Sequence, residues 1–94
     1  MTTYFMLGKY SPEGMKEMSA DRTKKVVRLI KEAGGEVISI YALLGGYDLV
    51  IIVKLSDTET AMKTSLRLTL LTNISFSTFP AVSVEEFDKI IISK

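Results

Sequence analysis

The 94-residue chain contains no histidine and no cysteine, so the side chains able to do chemistry are carboxylates, tyrosines, lysines and arginines. Imidazole is the commonest general base near neutral pH and the commonest metal ligand. Its absence excludes a Ser-His-Asp triad, a His-ligated haem and a His-based zinc site. The absence of thiols excludes a Cys nucleophile, a thiolate metal site and a disulfide framework. The sharpest remaining candidate is Asp48, which follows Tyr47 directly after the Gly45-Gly46 pair. A carboxylate there could orient a ligand, or act as a base if desolvation raised its pKa. Equally, it could accept hydrogen bonds from the amides of the Gly45-Gly46 turn. Tyr47 has the same two readings, lying over a ligand or packing against protein. Arg22 falls on the otherwise apolar side of a helix. Its fork of donors could bind an anionic group there, or its stem could snorkel to water or pair with Asp48 or another acid. Tyr4, Tyr10 and Tyr41 offer hydroxyls from strand positions. The ligand-binding candidates are therefore Tyr47, Asp48, Arg22 and Tyr4, with Asp48 the one candidate for catalysis; no metal and no cofactor is called for.

Other chemistries find no support in the spacing. There is no phosphate loop, metal-ligand pattern or nucleophile elbow, and the double glycine joins two strands rather than opening a helix. Formal charge is +1, from 12 basic and 11 acidic residues, which gives no global field towards nucleic acid or an anionic membrane. The basic stripe Lys24-Lys25-Arg28-Lys31 reads as a solvated helix face without aromatics to stack bases. Met15 and Met18 read as adaptable packing or a soft lid. The N-terminus lacks the basic region and long apolar core of a signal peptide, so a cytoplasmic protein is expected.

The elements that must position these residues are legible from periodicity and punctuation. Thr3 to Tyr10 reads as a strand, and Ser11-Pro12-Glu13 as the capped start of a short helical turn around Met15–Met18. An amphipathic helix follows from about Asp21 to Ala33, with Val26, Val27, Leu29, Ile30 and Ala33 on one face and Gly34-Gly35 as its stop. Glu36 to Leu44 is a second strand, joined by a tight Gly45-Gly46 hairpin turn to a third from Tyr47 to Leu55. Ser56-Asp57-Thr58-Glu59 reads as a capping box. It opens a helix to about Leu71 that buries Ala61, Met62, Ser65, Leu66 and Thr69. Ile74 to Val82 is a fourth strand, placed at an edge by Pro80. Ser83 to Glu86 is another capping box, before a short C-terminal helix that docks through Phe87, Ile90 and Ile91.

The order βαββαβ plus a final helix makes one domain over residues 1–94. It predicts an α+β, ferredoxin-like sandwich whose four-stranded antiparallel sheet has order 4-1-3-2, with both main helices on one face. The central strands are nevertheless apolar on both faces: Leu49, Ile51 and Val53 alternate with Val50 and Ile52. Half-solvated antiparallel sheets normally alternate apolar with polar residues. A second copy meeting the uncovered face is the expectation, as a homodimer or an assembly of dimers.

The run Leu44-Gly45-Gly46-Tyr47-Asp48-Leu49-Val50 resembles the signature of the GYD-domain family. The likeness extends through the opening Tyr-Phe-Met-Leu strand, Ser-Pro-Glu-Gly, Gly-Gly-Glu-Val and the Phe79 to Phe87 segment. That family is similar to other dimeric α/β-barrel proteins, so the resemblance implies fold and dimerisation rather than an activity. From about Val37 to Val82 the chain also looks like the effector-binding domain of leucine-responsive (Lrp/AsnC) regulators. In those proteins small ligands such as amino acids sit at subunit interfaces, and their helix-turn-helix has no counterpart in this sequence. Haem-degrading monooxygenases, chlorite dismutases and isomerases share the barrel, but where they rely on histidine the analogy loses its catalytic residue. The reading that results is a small-molecule-binding homo-oligomer with a pocket between sheet and helices. A cofactor-free monooxygenase or isomerase and a ligand-free assembly protein are its alternatives. The partners expected are a second copy and a small organic ligand, with neither nucleic acid nor membrane.

Overall fold

The computed structural model describes residues 1–92. Strand β1 (Thr2–Tyr10) lies second from one edge of a four-stranded antiparallel sheet of order β2-β3-β1-β4, formed with β2 (Glu36–Ala42), β3 (Leu49–Leu55) and β4 (Ile74–Ala81). This is the expected order, and β4 with its Pro80 is an edge strand. Helices α2 (Ala20–Glu32) and α3 (Thr58–Thr72) pack on one face, while α1 (Pro12–Lys16) and α4 (Val84–Ile92) are short additions. The core lies between the sheet and the two main helices: Tyr4, Met6, Ile51, Val53 and Leu55 from the strands meet Val26, Ile30, Ala61 and Leu68. These strand residues alternate by two and the α2 residues by four, the periods of a half-buried strand and an amphipathic helix.

Local chemistry sets the boundaries. Ser11 and Ser19 cap α1 and α2, their hydroxyls accepting from the N–H groups of Gly14 (2.9 Å) and Arg22 (3.1 Å). Gly34, just past α2, has φ +83°, a left-handed conformation that glycine adopts without strain. The cap of α3 is Asp57 and not Ser56. Its carboxylate accepts from the Thr60 N–H at 2.8 Å, while Ser56 contacts the Thr60 hydroxyl at 3.2 Å. Glu59 does not reach back to complete a capping box; it pairs along the surface with Lys63 at 3.5 Å. An aspartate is as good an N-cap as a serine, so the helix starts one residue later than the expected box, and with Thr60 and not Glu59 three residues after the cap no box forms.

Hydrogen bonds from Thr60, backbone first and side chain second, hold the Asp57 carboxyl below its ordinary value of 3.8 against a small opposing effect of burial, and Lys63 adds to the lowering. A carboxyl with a depressed folded-state pKa contributes stability fully above the unfolded value and loses it as pH falls through the folded value. Asp57→Ala is therefore expected to lower Tm at pH 7, with the gap to the parent protein closing as pH falls below about 4. Asp57→Asn, which keeps an acceptor, should lose less. Thermal melts from pH 2 to 7 check both, and a pH-independent gap would assign the loss to something other than the cap charge.

Three expectations are corrected by packing. Helix α3 buries Ala61, Thr64, Leu68 and Thr72, whereas Met62, Leu66 and Leu70 form an exposed stripe at spacings of four. Threonine is tolerated inward because its hydroxyl can be satisfied within the chain: Thr72 Oγ1 donates to the Leu68 carbonyl at 2.7 Å and accepts from the Ile74 N–H at 3.1 Å. Phe87, Ile90 and Ile91 of α4 do not dock inward but stay about half exposed, although Ser83 caps that helix through the Glu86 N–H as expected. The β2–β3 connection is a six-residue loop, Leu43 to Asp48, and not a two-residue turn. It is closed by the Leu43 N–H on the Asp48 carbonyl at 2.8 Å, and of the glycine pair only Gly45 has positive φ, at 147°.

The reverse face of the sheet carries two apolar rows. Register aligns Ser39, Ile52, Phe5 and Phe79 in one row and Tyr41, Val50, Leu7 and Ser77 in the next. Phe5, Phe79 and Tyr41 are 36%, 49% and 57% exposed. Polar positions lie beyond them: Glu36, Lys54 and Thr3 at one end, Lys9 and Ser75 at the other.

Candidate functional site

Strand β1 places its two tyrosines at opposite ends of the helix-covered face. Tyr4 and Tyr10 are six residues apart, about 20 Å at ~3.4 Å per residue. The candidate residues divide between these ends, so the structure does not bring Tyr47, Asp48, Arg22 and Tyr4 into one site.

At the Tyr10 end, Asp48 lies where the β2–β3 loop enters β3. Its backbone N–H donates to the Gly8 carbonyl at 2.8 Å, and its carboxylate Oδ2 accepts from the Tyr10 N–H at 2.9 Å. The side chain thus reaches across to β1 rather than to the amides of its own loop. Arg22 lies over the Tyr10 ring, its guanidinium carbon 5.5 Å from the ring centroid, within the ~6 Å of a cation–π contact. The same guanidinium donates from Nη1 to the Gly14 carbonyl of α1. Arg22 therefore stands beside Tyr10 and not on Asp48. The cavity it borders with Tyr10, Val26, Leu49 and Phe76 is only ≈ 40 Å³, close to the ~30 Å³ share of one water. Tyr47 is half-buried in the loop and borders neither this cavity nor the groove at the other end.

At the Tyr4 end, a groove of ≈ 280 Å³ opens between α3 and the β1–β4 pair. Helix α3 lines it with Thr58, Ala61, Met62, Ser65 and Leu66, and the sheet with Tyr4, Thr78 and Pro80. The space exists because Ala61 and Ser65, one helical turn apart, are too small to fill the distance to the Tyr4–Pro80 row. Two hydroxyl pairs punctuate an otherwise apolar surface: Ser65 Oγ and Thr78 Oγ1 at 2.9 Å, and Tyr4 Oη and Thr58 Oγ1 at 3.5 Å. Of the sequence candidates only Tyr4 is here. Thr58, Ser65 and Thr78 were missed, and the cue was available: a hydroxyl at the inward β4 position 78 facing small residues at 61 and 65. Among the described residues no cluster of three potential metal ligands occurs, and no helix is long and apolar enough to cross a membrane.

A βαββαβ sheet covered on one face, with a groove along one helix, defines a ferredoxin-like α+β domain of the kind found in Lrp/AsnC-type regulators. Within that class the chain belongs to the GYD domain family, whose model matches residues 4–91. The leucine response regulatory protein of Mycobacterium tuberculosis superposes with a TM-score of 0.63 at 16% identity, over 87% of this chain and 51% of that one. FFRP-DM1 superposes at 0.62 with 20% identity, over 87% and 100%. A Thermus thermophilus protein superposes at 0.56 with 25% identity, over 88% and 95%. The chain thus spans about half the length of the mycobacterial regulator. Among curated proteins none matches the sequence.

Proposed function

We propose that this chain is a small-molecule-binding subunit that works as a homodimer, or an assembly of dimers, with one ligand site per chain in the groove between α3 and the β1–β4 pair. The groove is the observation that carries the reading. It is concave, mostly apolar and furnished with a few hydroxyls, the usual make-up of a small-ligand site. In this reading Tyr4 contacts the ligand, while Asp48, Tyr47 and Arg22 work at the far end of β1. Self-association is supported by Phe5, Phe79 and Tyr41 on the reverse face, which a lone subunit leaves partly exposed, so that a partner covering them would recover a part of the roughly 1.5–3 kcal/mol that full burial of a large apolar side chain contributes. The likeness to regulator domains is compatible with a ligand-responsive role.

The exposed Met62, Leu66, Leu70 stripe and the half-exposed apolar residues of α4 favour a second reading, an assembly protein whose function lies in its contacts. A cofactor-free enzyme has less support, because Tyr4 is the one ionisable side chain bordering the groove. Native mass spectrometry of freshly purified protein separates these readings. An even assembly carrying extra mass per subunit is the expected result. An even assembly of bare mass that takes up no added small molecule would transfer the function to the interfaces, and a stable monomer at micromolar concentration would overturn the dimer.

A further inference from the structure

We infer that the α3 groove selects an uncharged, largely apolar molecule of one- or two-ring size with one or two hydrogen-bonding groups, and rejects carboxylates and zwitterions. This deepens the ligand-binding proposal above and rests on it. The first ground is electrostatic. No lysine, arginine, aspartate or glutamate borders the groove. On the same helix Glu59 and Lys63 are paired with each other at 3.5 Å with their side chains 80% and 72% exposed, and Arg67 is exposed and does not border the groove. An ionised group entering the groove would lose water and gain no counter-charge, a strongly unfavourable exchange. An amino acid, with a charge of each sign to satisfy, is the worst case.

The second ground is hydrogen bonding. Ser65 and Thr78 share one hydrogen bond, in which either hydroxyl can be the donor. Whichever donates, the other keeps its O–H for a ligand, and both oxygens keep accepting capacity. Tyr4 and Thr58, 3.5 Å apart, are more loosely coupled still. Rotatable hydroxyls of this kind serve a ligand carbonyl, ether, phenol or ring N–H equally well. The third ground is size. At ≈ 280 Å³ the groove lies just under the ~300–1,000 Å³ of ordinary ligand pockets, which suits a small ring system rather than a nucleotide or an extended chain.

Titration of the ¹⁵N-labelled 94-residue chain with indole, indole-3-acetate and L-leucine tests the selection. Indole is expected to shift the amides of Thr58, Ser65 and Thr78 with saturation. Indole-3-acetate should bind at least tenfold more weakly, and L-leucine should leave these amides unmoved. Leu66→Glu, which places a charge at an exposed rim position and leaves the core intact, should weaken indole about tenfold or more. Equal or tighter binding of either charged probe in the groove would overturn the ligand class while leaving the site standing. No response to any of the three would overturn the site as well as the class. Indole shifts centred elsewhere, or indole affinity unchanged in Leu66→Glu, would overturn the assignment to this groove.

Discussion

Phe79→Glu is expected to break the proposed dimer into a folded monomer at micromolar concentration, read by size-exclusion chromatography with light scattering beside the parent chain. Phe79 is 49% exposed in the isolated subunit, beside Phe5 on β1 in the apolar row that includes Ile52. Because the side chain is already half in water, the substitution adds little strain within one subunit, and circular dichroism should be unchanged. In a two-fold sheet-to-sheet dimer the change occurs twice. Only the exposed half of Phe79 can be buried by a partner, so each copy would lose about half of the ~1.5–3 kcal/mol of a full burial, roughly 0.7–1.5 kcal/mol, and would bring a carboxylate into the contact. The two apolar losses amount to about 1.5–3 kcal/mol, or a dissociation constant raised ~10-fold to ~100-fold, and the desolvated carboxylates add to it. Phe79→Leu, which keeps an apolar side chain, should remain dimeric. A Phe79→Glu protein that is still dimeric would place the interface elsewhere, with the exposed faces of α3 and α4 the next surfaces to vary.

The fold was legible because each of its signals is local and repetitive. Alternation by two along β1 and β3, spacing by three and four along α2, and the positions of Ser11, Gly34 and Pro80 suffice to give βαββαβ and the sheet order. What was not legible is where apolar residues outnumber the sites that can bury them. In α3, apolar side chains point in several directions, and hydropathy alone favours Met62 and Leu66 over Thr64 and Thr72. The chain instead turns the threonines inward, where Thr72 satisfies its hydroxyl on the Leu68 carbonyl and the Ile74 N–H. That rotation is what leaves the groove, since it sets Ala61 and Ser65 towards Tyr4 and Thr78. The candidate site shared the same weakness. Sequence reasoning found the residues with strong functional groups, Asp48 and Arg22, but the apolar α3 groove is bordered by hydroxyls and small side chains whose value lies in what they leave empty. The two ends of β1 could be told apart only once register placed Tyr4 beside Pro80 and Tyr10 beside Ile74.

Asp48→Ala is expected to lower stability by about 1–3 kcal/mol, the usual consequence of leaving a sheltered donor without its acceptor. The donor here is the Tyr10 N–H, which Asp48 Oδ2 accepts at 2.9 Å where β1 ends. The backbone bonds of Asp48 to Gly8 and Leu43 do not depend on its side chain, so the hairpin should persist while the end of β1 loosens. Against a typical domain stability of ~5–15 kcal/mol this is a large share, and at about 4–8 °C per kcal/mol it is readily seen in a thermal melt. Asp48→Asn retains a carbonyl oxygen for the same N–H and should recover most of the loss. Amide exchange locates the effect: Tyr10 should lose protection in Asp48→Ala and regain it in Asp48→Asn, while Thr58, Ser65 and Thr78 around the distant groove stay unchanged. Because Arg22 stacks on the Tyr10 ring and donates to Gly14, the loosened strand end should also raise exchange in α1, coupling a single carboxylate to three elements. Indole binding should be unaffected in both variants. If Asp48→Asn abolishes ligand binding at unchanged stability, Asp48 belongs to a functional site and not to the fastening of β1.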